Sequence, residues 1–155
     1  MVQKAIWIVL VAVLGLASCT GNRAAVDPVK QAATDDSIIQ AYIKQHHIAA
    51  TKDSSGLYYQ VLKQGTGANA TGGSTVKVTY EGTLTDDKQF DKSEKPIEFP
   101  LTNVIAGWTK GLTLVKPGGK ILLIIPSALG YGPQSAGEIP ENSVLVFKVD
   151  LLEVK

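Results

Sequence analysis

Two runs near the C-terminal end of this 155-residue chain are almost wholly apolar, "KILLIIP" at 120–126 and "VLVFKVDLLEV" at 144–154. In the second, Leu145, Phe147, Val149 and Leu151 interleave with Val144, Val146, Lys148 and Asp150. Neither run alternates cleanly between apolar and polar, so both read as central strands packed on at least part of both faces. "TVKVTYEGTL" from Thr75 alternates as a strand should, and "TDDKQF" supplies the turn into a second, extended run, "FDKSEKPIEFPL". "SGLYYQVLKQ" is a further strand, running into a glycine-rich connection. Among these strands, Val104, Ile105, Trp108, Leu112 and Val115 fall at helical spacing and stop at Pro117-Gly118-Gly119, which predicts one short helix. Ahead of them Ile38, Ile39, Tyr42 and Ile43 follow "TDDS", an N-cap and first-turn signal, and predict an amphipathic helix from Thr34 to about His47. The sum is an α+β domain, an antiparallel sheet of five or six strands curled around one short helix and preceded by a short N-terminal helix.

The first nineteen residues depart from this pattern. Lys4 is their only charge, an apolar run covers Ala5 to Leu16, and "LASC" follows. A bilayer crossing needs about 20 apolar residues, so a signal peptide fits better than a permanent span. Leu16-Ala17-Ser18-Cys19 resembles the bacterial lipobox, which would make Cys19 a lipidation site, place the mature protein on a membrane outside the cytoplasm, and imply palmitate among its acyl groups. The division expected is residues 1–19 signal peptide, 20–33 tether, 34–55 helix and connection, and 56–155 the folded domain.

With a single cysteine, no intramolecular disulfide forms. Without residues 1–19 the chain carries 14 basic and 14 acidic residues, a balance that gives no electrostatic footprint for nucleic acid. Gly65-Thr66-Gly67 leads into a strand and has no Gly-Lys-Ser/Thr after it, so it is a turn and not a phosphate cradle. The triplet Asn69-Ala70-Thr71 matches a glycosylation acceptor by accident in a chain with a lipobox. The adjacent His46 and His47 lack metal-ligand spacing and read as solvated.

What remains is "ALGYGPQSAGEIP", residues 128–140, a loop stiffened by glycine and proline around one tyrosine, Tyr131, and one isoleucine, Ile139. It carries no nucleophile–base pair. "VTYEG", "FDKS", "NVIAGWTKGL", "ALGYG", "EIP" and "LVFKVDLLEV" follow one another as in the FKBP-type peptidyl-prolyl cis-trans isomerases, and the resemblance spans residues 56–155. It implies an apolar proline pocket between sheet and helix. Trp108 would be its floor, Tyr80, Phe90 and Phe147 its aromatic walls, and Ile97, Val104, Ile105 and Ile139 its aliphatic surface. Asp91 would stand beside it, while the Tyr131 hydroxyl and the Ile105 N–H would donate to the substrate carbonyl. Tyr80, Phe90, Asp91 and Tyr131 would act on the bound bond and the others would bind the peptide. No cofactor or metal is implied, and the partners would be proline-containing unfolded or partly folded proteins and macrolide inhibitors. Ile97 stands where the family often has phenylalanine, Leu129 replaces a frequent aromatic, and the 132–139 loop is slightly short. These changes bear on peptide preference and macrolide affinity. A chaperone or proline-binding module with little turnover, and a purely structural envelope lipoprotein, are the competing readings.

Overall fold

Alternate residues of one strand serve two separate cores. A computed structural model of the chain, which describes residues 26–155, contains α1 (Pro28–His46), β1 (Thr51–Lys52), β2 (Tyr58–Lys63), β3 (Thr75–Leu84), β4 (Gln89–Pro100), α2 (Ala106–Gly111), β5 (Gly119–Ile125) and β6 (Leu145–Val154). In β5, Ile121, Leu123 and Ile125 enter the larger core with Trp108 and Leu112, while Leu122 and Ile124 enter a second core with Ile39 and Tyr42 of α1. Successive side chains of a strand point to opposite faces. The apolar run of β5 therefore records a sheet covered by α2 on one side and α1 on the other. β6 does the same with Leu145, Phe147, Val149 and Leu151 on the α2 side and Val146 under α1. Its Lys148 and Asp150, on the α1 face, lie outside both cores.

The six strands are antiparallel in the order β1-β2-β5-β6-β3-β4, with the two most apolar strands, β5 and β6, at the centre. β4 is an edge strand, which accommodates Pro96 and Pro100. Its register against β3 shifts between Val78 and Tyr80 and again between Gly82 and Thr83. α2 lies directly on β5: a Cβ on Gly107 would come within 2.5 Å of Ile125, and one on Gly111 would come within 2.4 Å of Leu123. Small residues at those two positions set the depth at which Trp108 sits.

The helix at the N-terminus begins earlier than its hydrophobic pattern predicts. Asp27 is its N-cap, accepting from Val29 N at 2.9 Å, and Pro28 occupies the first turn. Asp-Pro is a start signal, since the carboxylate caps an orphan N–H and proline gives up nothing at N1. Residues 28–33, expected as tether, are thus helical. "TDDS" falls in the middle of the helix: Thr34 donates back to Lys30 O at 2.9 Å, and Asp35 is buried. The buried stripe is Asp35, Ile39 and Tyr42, whereas Ile38 is 37% exposed. α1 stops at His47, whose left-handed φ of 53° ends the ladder. His46 is not simply solvated: its ring packs 4.1 Å from that of Tyr42, and its Nε2 lies 3.7 Å from Asp87 Oδ2. Asp36 ties α1 to the β1–β2 edge of the sheet, accepting from Tyr58 OH at 2.7 Å and from Lys52.

The second helix is shorter than predicted. Only Ala106–Gly111 is α-helical, Leu112–Leu114 form a 3-10 turn, and Val104, Ile105 and Val115 are extended or capping residues. Thr109 helps anchor it, donating its hydroxyl to Leu101 O at 2.8 Å. β1, paired with β2 through Thr51–Tyr59 and Lys52–Tyr58, has no counterpart in the expected connection at 34–55. The expected signal peptide, the lipobox with Cys19 and the start of the tether lie outside the described residues. Among the described residues, no helix is long and apolar enough to cross a membrane.

Candidate active site

β3 buries every second residue: Val76, Val78, Tyr80 and Gly82 face α2. Gly82 pairs with Asp91 on β4 and with Phe147 on β6. A Cβ there would come within 2.7 Å of Phe147 and 2.8 Å of Phe90. The missing side chain lets those two rings meet across β3, edge to face at 5.5 Å and 83°. Trp108, 1% exposed, then stands nearly perpendicular to three rings: Tyr80 at 5.1 Å, Phe147 at 5.3 Å and Phe99 at 6.0 Å. Such T-shaped pairs align ring edges with ring faces and fix orientation as well as burial. The Trp108 Nε1 atom is buried and has no hydrogen-bond partner among the described residues.

Polar groups ring this aromatic box. Tyr80 donates its hydroxyl to Asp91 Oδ2 at 2.6 Å, and Lys92 N donates to Asp91 Oδ1 at 2.8 Å. Both carboxylate oxygens are therefore engaged. Burial pushes the Tyr80 phenol up, and the hydrogen bond to Asp91 adds to the shift. Tyr131 is pushed up to about 12, first by burial and then by the negative charge of Asp91. Both phenols remain neutral donors at physiological pH.

The loop after β5 brings Tyr131 and Ile139 to this box. Ser127–Leu129 form a 3-10 turn, and Ala136 and Ile139 exchange backbone hydrogen bonds of 2.9 and 3.0 Å. Asn142 N closes the loop by donating to Gly132 O at 2.7 Å. Gly132 and Gly137 take left-handed φ values of 59° and 58°, which a glycine adopts without strain. Ile139, 1% exposed, is driven into the large core, whereas Tyr131 stays half-buried at its margin.

The structure brings the expected residues into one cluster. Tyr80, Ile105, Trp108, Ile139 and Phe147 are buried in the large core, and Phe90, Ile97, Val104 and Tyr131 pack against it. Asp91 joins through Tyr80. Two further residues escape sequence reasoning: Phe99, whose ring closes on Trp108, and Gly82. Phe99 lies two residues after Ile97 on the same strand face, a spacing that could have found it. Gly82 carries no local signal, because its requirement comes from rings on two other strands. The aromatic box, its neutral donors and an occupied carboxylate suit the binding of an uncharged, ring-containing group beside a carbonyl.

Known proteins resemble this arrangement in sequence and in shape. The model of the FKBP-type peptidyl-prolyl cis-trans isomerase family matches residues 67–152. The FKBP-type peptidyl-prolyl cis-trans isomerase FkpA of Aeromonas hydrophila is 43% identical over 139 residues, 88% of this chain and 51% of that protein. FkpA of Escherichia coli K12 is 50% identical over 105 residues, 66% of this chain and 39% of that protein. The chain thus spans about half or less of the length of these relatives. The crystal structure of FkpA from Escherichia coli superposes with a TM-score of 0.72 at 43% identity, covering 82% of this chain and 62% of that one. A peptidyl-prolyl cis-trans isomerase from Pseudomonas syringae superposes with the same TM-score of 0.72 at 30% identity, covering 86% of this chain and 99% of that one.

Proposed function

Since this chain belongs to the FKBP-type peptidyl-prolyl cis-trans isomerases, we propose that it isomerises X-Pro bonds in unfolded or partly folded proteins. The observation that carries this reading is the box around Trp108, with Tyr80, Phe99 and Phe147 perpendicular to it and Asp91 already bonded to Tyr80.

The X-Pro bond prefers trans by only about 0.5–1 kcal/mol, yet its rotation barrier is about 18–20 kcal/mol, because the twist breaks amide resonance. The planar amide is more dipolar than the twisted one, so water favours the ground state. An apolar pocket removes that preference. The proline ring enters against Trp108, Phe90 and Phe147, with Ile97, Val104 and Ile139 as aliphatic surface. The Tyr131 hydroxyl and the Ile105 N–H donate to the carbonyl on the acyl side and hold it while the ring side turns. Ile105 is placed for this as the N-cap of α2, its own carbonyl accepting from Trp108 N at 2.9 Å and Thr109 N at 3.2 Å. Asp91 accepts from Tyr80, and its charge adds to burial in raising the Tyr131 phenol. No proton changes hands in this scheme. The same box offers a seat to macrolide inhibitors.

The lipobox at 16–19 supports an address as well as an activity: a protein anchored through a lipid on Cys19, working on clients outside the cytoplasm. Replacing Cys19 by alanine is expected to abolish fatty-acid incorporation and leave an unprocessed precursor; continued acylation would remove the anchor from the reading. The activity itself is tested by isomerisation of a short proline peptide, with suppression of aggregation of a proline-free client measured in parallel. Turnover that falls in Phe90→Ala supports the isomerase. A folded protein that holds the client without turnover would instead be the chaperone module.

A further inference from the structure

α1 lies outside the matched family region, yet it reaches the active-site loop through a buried carboxylate. Asp35 is 1% exposed and Ser127 is 2% exposed. Asp35 Oδ2 accepts from Ser127 N at 2.8 Å and from the Ser127 hydroxyl at 2.6 Å, across 92 residues of chain. Its Oδ1 accepts from Gln31 Nε2 at 2.7 Å, one turn back on α1. Ser127 is a relay. Its carbonyl accepts from Gly130 N at 3.0 Å and Gly132 N at 2.8 Å, the two residues that flank Tyr131.

Docking a helix does not need a carboxylate. The other buried positions of the α1 stripe are Ile39 and Tyr42, and a further apolar side chain at 35 would bury surface without the cost of desolvating a charge. What a carboxylate adds is direction: it takes both donors of one serine, and charge-assisted hydrogen bonds are about twice as strong as neutral ones. We propose that Asp35 is a positioning residue for the isomerisation, fixing Ser127 so that its carbonyl clamps Gly130 and Gly132 and thereby aims the Tyr131 phenol. The inference rests on the reading of Tyr131 as a carbonyl donor. On it, the N-terminal helix belongs to the active-site apparatus, although its apolar face packs on the opposite side of the sheet.

The test is a double-mutant cycle on the protein with α1 intact. Asp35→Asn keeps the shape but replaces one acceptor oxygen by an amide nitrogen. It is expected to lower kcat on a neutral proline peptide roughly fivefold or more, the worth of one hydrogen bond, with KM nearly unchanged. In a Tyr131→Phe background the same substitution is expected to change kcat little, because the group it aims is gone. Amide hydrogen exchange at Gly130 and Gly132 should quicken while the β5 and β6 amides keep their protection. An equal loss in both backgrounds, or none in either, overturns the positioning role. Wild-type turnover in Tyr131→Phe alone overturns the donor reading and, with it, the aiming role; that single variant separates the two failures. If Asp35→Asn does not fold, Ser127→Ala carries the same cycle, since it removes only the 2.6 Å hydroxyl bond.

Discussion

Asp91 Oδ2 sits 2.6 Å from the hydroxyl of Tyr80, and the donor is the phenol. An aspartate beside an aromatic cluster invites the role of general base. Here each of its oxygens already accepts a hydrogen bond, from Tyr80 and from Lys92 N, so its contribution is orientation and a fixed negative charge. Asp91→Asn keeps the shape and removes the charge. We expect kcat/KM to fall about fivefold, in line with a hydrogen bond that loses its charge assistance, and the Tyr131 titration to move down from about 12. Turnover and alkaline absorbance of the phenol measure the two effects, and an unaltered rate would make Asp91 a structural residue.

Gly82 is the cheapest site at which to jam the box. Alanine there would drive a methyl into Phe147 and Phe90, at 2.7 and 2.8 Å. Overpacking of this kind costs about 1–3 kcal/mol, so the denaturation midpoint should drop and turnover should fall with the chain still folded. Trp108→Ala is a harsher change, at about 3–5 kcal/mol, because the indole is buried. Phe90→Ala, at a half-buried ring, should lose activity with a smaller loss of stability.

The pH dependence follows from the neutral donors. Tyr131 is raised above the ordinary tyrosine value of about 10, to about 12. Its contribution to stability is therefore fully present below pH of about 10 and is lost as pH rises through about 12. Between about pH 6 and 8 it stays protonated, and kcat/KM on a neutral proline peptide should be nearly flat. The two histidines sit at the C-terminal end of α1, where His46 packs on Tyr42 of the second core. A tenfold bell with the fold intact would require a titrating group in the pocket and end the desolvation account.

The start of α1 at Pro28 has its own consequence. A chain beginning at Thr34 lacks the Asp27 cap, the first helical turns and Gln31, which bonds Asp35. It should unfold at lower denaturant than the longer protein. Asp27→Ala alone should cost about 1 kcal/mol, the usual worth of an N-cap. Equal midpoints for the two chain lengths would mean that residues 28–33 add nothing to stability.

The strands and the short helix were legible because their signals are local. Alternation in "TVKVTYEGTL" marks one buried face, continuous apolarity in "KILLIIP" marks two, and the helical spacing of Val104, Ile105, Trp108, Leu112 and Val115 marks the short helix. The candidate residues came from motifs in a known order, and the structure gathers them into one cluster. The start of α1 was misplaced because "TDDS" satisfies the rules for a cap as well as Asp27-Pro28 does, and only burial distinguishes them: Asp35 is inside, bonded to Ser127. Local sequence contains no term for that contact, because its partner lies 92 residues away. The same holds for Gly82, whose missing side chain answers to Phe90 and Phe147 on neighbouring strands, whereas Phe99 lay within reach of the period-two spacing from Ile97 and only its meeting with Trp108 depended on the packing. Periodicity and caps determine which residues form an element and which face is apolar, since these depend on neighbours in the chain. Which distant group fills the space above that face is decided by packing, where volume and hydrogen-bond geometry are shared among residues that the sequence keeps apart.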